Sequence, residues 1–198
     1  MRKKLYIAYG SNLNLQQMSR RCPTAKFIGT GVIEDYELQF KGREYGAYAT
    51  IALKEGCEVP VGVFEIGIQD EMRLDVYEGF PNHYFKQDVP VKMKDQTIKG
   101  MAYIMDLKME FGMPSTNYYQ VVHQGYQDCG LDTEILEQAV LDSTKKYYES
   151  AMDRRPKIYS VRKEEAEPND LEEDEREEDL EEDELDETEA GFTQGQVW

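Results

Sequence analysis

With 198 residues, 40 acids against 23 bases and a formal charge of −17, the chain offers no cationic footprint for a phosphate backbone, which excludes nucleic acid as a general partner. The charge is concentrated: residues 163–189 hold 18 Asp and Glu against Lys163 and Arg176, so the remainder is nearly neutral. No run approaches the ~20 consecutive apolar residues of a membrane span, and Met1-Arg2-Lys3-Lys4 leads straight into strand-like sequence, so a soluble, cytoplasmic protein without membrane contact is expected.

Lys4-Leu5-Tyr6-Ile7-Ala8-Tyr9 is a β-prone run that stops at the turn formers Gly10-Ser11-Asn12-Leu13-Asn14. Leu15 to Met18 reads as one or two helical turns closed at Cys22-Pro23. An extended stretch opens at Phe27 and continues through Tyr36 to Phe40, and Tyr48–Leu53 and Val59–Ile66 read as neighbouring antiparallel strands. Asp70 is the expected N-cap of a short helix through Met72, Leu74, Val76 and Tyr77. Glu78-Gly79-Phe80-Pro81-Asn82 must then be loop, because Gly and Pro both oppose helix continuation, so Glu78 stands where a helix gives out.

Tyr84–Lys94 and Ile98–Asp106 give two more strands. Pro114-Ser115 then precedes Tyr118, Val121, Val122, Gly125 and Tyr126 at helical spacing, and Asp132-Thr133 precedes Ile135, Leu136, Ala139, Val140 and Tyr147. The class is α+β, with about six strands in a small, strongly curved sheet or barrel and helices packed on its outside. Residues 1–160 are expected to form the domain. Residues 161–198 form an acidic low-complexity tail, expected to be disordered because its few apolar residues cannot offset the entropy of ordering.

Cys22, Cys57 and Cys129 are odd in number, widely spaced and without a C-x-x-C, and read as reduced thiols without a catalytic role. The two histidines, His83 and His123, belong to no metal-binding pattern, so no metal is expected. His123 reads as structural, and His83 is a surface or packing residue unless it lines a pocket five positions after Glu78.

Three short motifs carry the chemistry. Tyr9-Gly10-Ser11-Asn12-Leu13 follows the first strand, and a turn of that composition presents main-chain N–H groups on a tightly curved path suited to an anion. Asp75-Val76-Tyr77-Glu78-Gly79 sets one acid among Tyr77, Phe80 and Pro81, where desolvation raises its proton affinity toward that of a general base. Pro114-Ser115-Thr116-Asn117-Tyr118 opens a helix, with Ser115 as N-cap and Tyr118 in the first turn. Taken singly, each also reads as an ordinary turn, a solvated glutamate or a packing aromatic.

Together, in this order, the motifs resemble those of the γ-glutamylcyclotransferase-like family, which includes the AIG2-like proteins and the γ-glutamylamine cyclotransferases. The resemblance spans roughly residues 4–142, including Gly125-Tyr126 and Gly130-Leu131 behind the third motif. It implies a mixed β-barrel and a cofactor-free reaction in which a γ-glutamyl compound cyclises to 5-oxoproline and releases its amine. It further implies Glu78 as the general acid and base, with Tyr9, Gly10, Ser11, Asn12, Leu13, Asn14 and Tyr118 binding the substrate. The connection Phe80-Pro81-Asn82-His83-Tyr84 is short, as in the broader bacterial-type members, and leaves the leaving amine open.

The partner expected is a small γ-glutamyl molecule, and the oligomeric state is open, a homodimer included. The competing reading is a non-catalytic small-ligand or regulatory module on the same scaffold, with the tail and Trp198 meeting a protein. The tail itself reads most simply as a solubilising, self-repelling run, against a nucleic-acid charge mimic or a weak divalent-cation sponge.

Overall fold

The computed structural model describes residues 3–154. Five strands form a closed barrel in the order β1-β3-β2-β4-β5: β1 Lys4–Ala8, β2 Lys26–Lys41, β3 Tyr48–Ile66, β4 Tyr84–Lys92 and β5 Thr97–Met105. Four α-helices accompany them: α1 Leu15–Arg21, α2 Ile68–Glu78, α3 Thr116–Asp128 and α4 Thr133–Asp153. The pairings are antiparallel except that β1 runs parallel to β5, with Tyr6 opposite Met101. That parallel pairing closes the barrel and makes the sheet mixed. Ile7, Ile33, Phe40, Ile51, Val61 and Val91 are among the fully buried side chains of the core.

The expected α+β barrel with peripheral helices is present, with one fewer strand than about six. Residues 48–53 and 59–66 are not antiparallel neighbours: both belong to β3 and both pair with β2. Tyr36 pairs with Leu53 and Glu34 with Glu58, so residues 54–57 bulge over Asp35. Asp35 and Gly56 take positive φ values of 60° and 76°, and the Gly56 amide donates to Asp35 Oδ1 at 2.9 Å. The ladder therefore bends without ending, as a bulge allows.

The second correction concerns α2. Asp70 lies inside the helix, in its first turn, and Gly67 precedes the first helical residue. The Asp70 carboxylate instead reaches back to accept from the Gly67 amide at 3.2 Å and from Thr24 Oγ1 at 2.5 Å, which serves the free N–H groups at a helix start from within. At the other end Gly79 adopts the left-handed conformation with φ 65° and stops the helix directly after Glu78. The Ser115 and Asp132 caps stand as expected, accepting from the amides of Tyr118 at 3.2 Å and Glu134 at 2.9 Å.

Gly125 allows α3 to seat against the loop after β1. A Cβ there would lie 2.5 Å from the Asn14 amide nitrogen and 2.7 Å from the Leu13 carbonyl carbon. Helix α4 docks on β2, where the Phe40 amide donates to Ser143 Oγ at 2.9 Å. No helix among the described residues is long and apolar enough to cross a membrane. The expected disorder of residues 161–198 falls outside the described residues.

Candidate active site

The loop after β1 begins with one 3₁₀ turn, Ser11–Leu13, whose bonds run from the Leu13 amide to the Gly10 carbonyl and from the Asn14 amide to the Ser11 carbonyl. The amides of Ser11 and Asn12, at the start of that turn, have no acceptor within it. Next to them is a small pocket lined by Tyr6, Tyr9, Gly10, Ser11, Asn12, Ala49, Glu78, Tyr84, Tyr103 and Tyr118. Five of these are tyrosines, so phenol hydroxyls contribute much of the polar character of the lining.

The end of α2 delivers Glu78 to this wall. Asn12 Nδ2 donates to Glu78 Oε1 at 2.8 Å and to the Tyr6 hydroxyl at 2.7 Å. Burial pushes the Glu78 carboxyl up to about 7, against the opposing pull of Arg21 and of the Asn12 hydrogen bond. The tyrosines around it stay protonated: burial first, and the Glu78 charge in addition, hold Tyr6, Tyr9, Tyr84, Tyr103 and Tyr118 well above the ordinary phenol range. One carboxyl poised near neutrality is thus enclosed by neutral hydroxyls.

Backbone contacts fix those hydroxyls. The Ala49 amide donates to the Tyr118 oxygen at 3.2 Å, Tyr84 donates to the Ala49 carbonyl at 3.0 Å, and Tyr9 donates to the Tyr103 carbonyl. Tyr103 donates to Asp75 Oδ1 at 2.5 Å, and Lys86 bridges Asp75 and Glu71, at 2.6 Å and 2.8 Å. These contacts clamp α2 to the barrel near the residue that carries the acid. Ser11 Oγ lies 3.1 Å from the Tyr77 hydroxyl, a further tie between the loop and α2.

Tyr9, Gly10, Ser11, Asn12, Glu78 and Tyr118 therefore meet around one pocket. Leu13 and Asn14 do not line it. Leu13 is fully buried in the core, and Asn14 caps α1 by accepting from the Gln17 amide at 2.9 Å. Gly10 has a φ of −121°, which other residues share. Its requirement is close approach, since a Cβ would sit 3.2 Å from Ala49 Cβ and 3.3 Å from the Tyr118 oxygen. His83 is exposed and packs against Gly79 outside the pocket lining.

Sequence reasoning missed Tyr6, Ala49, Tyr84 and Tyr103. Their only local signal is the high tyrosine count, 14 against 7 phenylalanines; strand pairing decides which tyrosines converge. Among the described residues no three His, Cys, Asp or Glu side chains gather as a metal-binding group.

A family model described as gamma-glutamyl cyclotransferase, AIG2-like, matches residues 6–126, a span that includes all ten residues of the pocket lining and puts the chain in the class of cyclotransferase barrels. The chain is 30% identical over 145 residues to the γ-glutamylcyclotransferase of Mus musculus, covering 67% of this chain and 75% of the relative. To that of Homo sapiens it is 29% identical with the same coverage. A solved structure of a gamma-glutamyl cyclotransferase superposes with a TM-score of 0.63 at 28% identity, over 70% of this chain and 86% of the other. The chain belongs to the AIG2-like γ-glutamyl cyclotransferase family and is an enzyme of the γ-glutamylcyclotransferase type.

Proposed function

We propose that this enzyme converts a γ-glutamyl amino acid or γ-glutamyl amine to 5-oxoproline and the free amine, with Glu78 as general base and then general acid. The observation that carries this reading is the buried Glu78 carboxyl, raised to about 7 and bonded to Asn12 of the Gly-Ser-Asn turn. A base with that affinity accepts a proton at neutral pH and returns it readily.

The substrate's α-amine is the nucleophile. Its ammonium form gives up one proton on activation and a second as nitrogen attacks the γ-carbonyl carbon and closes the five-membered lactam. The bond from that carbon to the leaving nitrogen breaks, and the leaving nitrogen gains both protons to depart as an ammonium. Glu78 relays a proton from the attacking to the leaving nitrogen, so one carboxyl serves both halves of the reaction. Holding amine and carbonyl in contact supplies the proximity advantage of an intramolecular reaction.

Tyr9, Gly10, Ser11 and Asn12 hold the glutamyl moiety, and an amide of the turn meets the charge that develops on the carbonyl oxygen. Tyr118 completes the pocket, while Leu13 and Asn14 serve the same loop by anchoring it to the core and to α1. The test is a panel of γ-glutamyl amino acids and γ-glutamyl amines incubated with purified protein. At least one should yield 5-oxoproline and amine in equal amounts; none from any member would overturn the assignment.

A further inference from the structure

Arg21, the last residue of α1, belongs to none of the three motifs, yet it touches Asn12 of the pocket lining and Tyr77, the neighbour of Glu78. Its Nη1 donates to Asn12 Oδ1, its Nη2 reaches Gln17 Oε1 at 3.4 Å, and its guanidinium lies 3.3 Å from the centroid of the Tyr77 ring. Tyr77 in turn meets Ser11 at 3.1 Å and immediately precedes Glu78.

The consequence follows from the shape of a carboxamide. Its oxygen and nitrogen ends are nearly isosteric, but one only accepts and the other only donates. Asn12 faces the Tyr6 hydroxyl and Glu78 Oε1 with its nitrogen, at 2.7 and 2.8 Å. An Asn12 free to turn over would offer oxygen to Glu78, which welcomes the protonated acid and repels the carboxylate. A guanidinium can only donate, so its bond to Asn12 Oδ1 forbids that orientation.

We infer that Arg21 is a positioning residue for catalysis: it locks the Asn12 carboxamide with its donor end toward Glu78, and through Tyr77 it holds the end of α2 against the Ser11 turn. The inference rests on the role proposed above for Glu78. The titratable groups that face Glu78 are Tyr6 from β1, Tyr9 directly after it, Tyr84 from β4, Tyr103 from β5 and Tyr118 from α3, all held neutral by burial. Among the described residues, Arg21 is the cation whose charge opposes the effect of burial on Glu78.

The test follows the Glu78 carboxyl by carbon NMR in protein labelled at glutamate, with the resonance assigned by its absence in Glu78→Gln. In Arg21→Met the titration midpoint should rise by about one pH unit, and the acidic limb of kcat/KM should move with it, for a loss of about five-fold at pH 7 recovered in alkali. Arg21→Lys keeps a charge but not the planar fork, and should show a smaller rise. Arg21→Met combined with Asn12→Ala should raise the midpoint by less than the sum of the two single rises, because the Arg21–Asn12 contact is shared while the direct pull of the Arg21 charge on Glu78 is not.

A wild-type midpoint in Arg21→Met, or full additivity in the double variant, would overturn the inference. If Arg21→Met does not fold, a wild-type midpoint and wild-type kcat/KM in Arg21→Gln, which loses the charge, would do so. The titration needs no turnover. A wild-type protein that makes no 5-oxoproline would therefore overturn the proposed reaction while the Arg21 contact is still read from the midpoint.

Discussion

Asn12 and Glu78 stand 66 positions apart in the chain and 2.8 Å apart in space, the carboxamide donating to the carboxylate. That contact joins the turn after β1 to the end of α2, and the rest of the pocket is arranged around it. A carboxyl in this position is stabilised as an anion by the Arg21 charge and by one hydrogen bond and destabilised by burial, and burial wins.

Glu78→Gln keeps the volume and one acceptor for Asn12 but removes the exchangeable proton. Turnover should fall by about a hundred- to ten-thousand-fold, the usual range for a lost general acid or base, with the circular dichroism spectrum unchanged. An assay of 5-oxoproline release checks it, and a rate within a few-fold of wild type would remove Glu78 from the mechanism.

The same carboxyl makes stability depend on pH in a definite direction. Its folded value of about 7 lies above the ordinary 4.5, so the folded state holds the proton more tightly than the unfolded chain. That contribution is fully present below pH 4.5 and is lost as pH rises through 7, to a ceiling of about 3 kcal/mol. Urea titrations should therefore show Glu78→Gln more stable than wild type at pH 8, with the gap closing at pH 4. A constant gap would contradict the assignment.

The pH profile of kcat/KM should carry an acidic limb with a midpoint near 7, since Glu78 as the proposed base takes up a proton only when ionised. A profile flat from pH 5.5 to 8 would count against this carboxyl as the base.

Gly125→Ala should destabilise the protein by about 2 kcal/mol, because its Cβ would press on Leu13 and Asn14 backbone atoms at 2.5–2.7 Å, which have no flexible end to move aside. Displacement of α3 also moves Tyr118, so KM should rise as well. Denaturant unfolding and steady-state kinetics on the same preparation read the two effects.

Asp70→Ala should cost about 2 kcal/mol, since it leaves the Gly67 amide and the Thr24 hydroxyl without their buried acceptor. Thermal unfolding measures this, and an unchanged midpoint would mean that α2 is seated by its other contacts.

Several features were legible because they are local. Ser115 and Asp132 announced α3 and α4 through their capping chemistry, and Gly79 and Pro81 announced the end of α2. Two readings failed for lack of a local signal. Asp70 has the composition of an N-cap, but a carboxylate reaching back from the first turn looks the same in sequence. Residues 54–57 look like a turn between strands, and only the Asp35 carboxylate receiving the Gly56 amide turns them into a bulge within one strand.

The sequence by itself determined the kinds of segment, their order and the family, because periodicity, caps and short motifs act over a few residues. Which side chains share the pocket was decided by the tertiary structure. Closure of β1 on β5 and the docking of α2 bring Tyr6, Tyr84, Tyr103 and Arg21 toward Glu78. Those encounters depend on burying apolar surface between distant segments, an energy that no single stretch of chain contains.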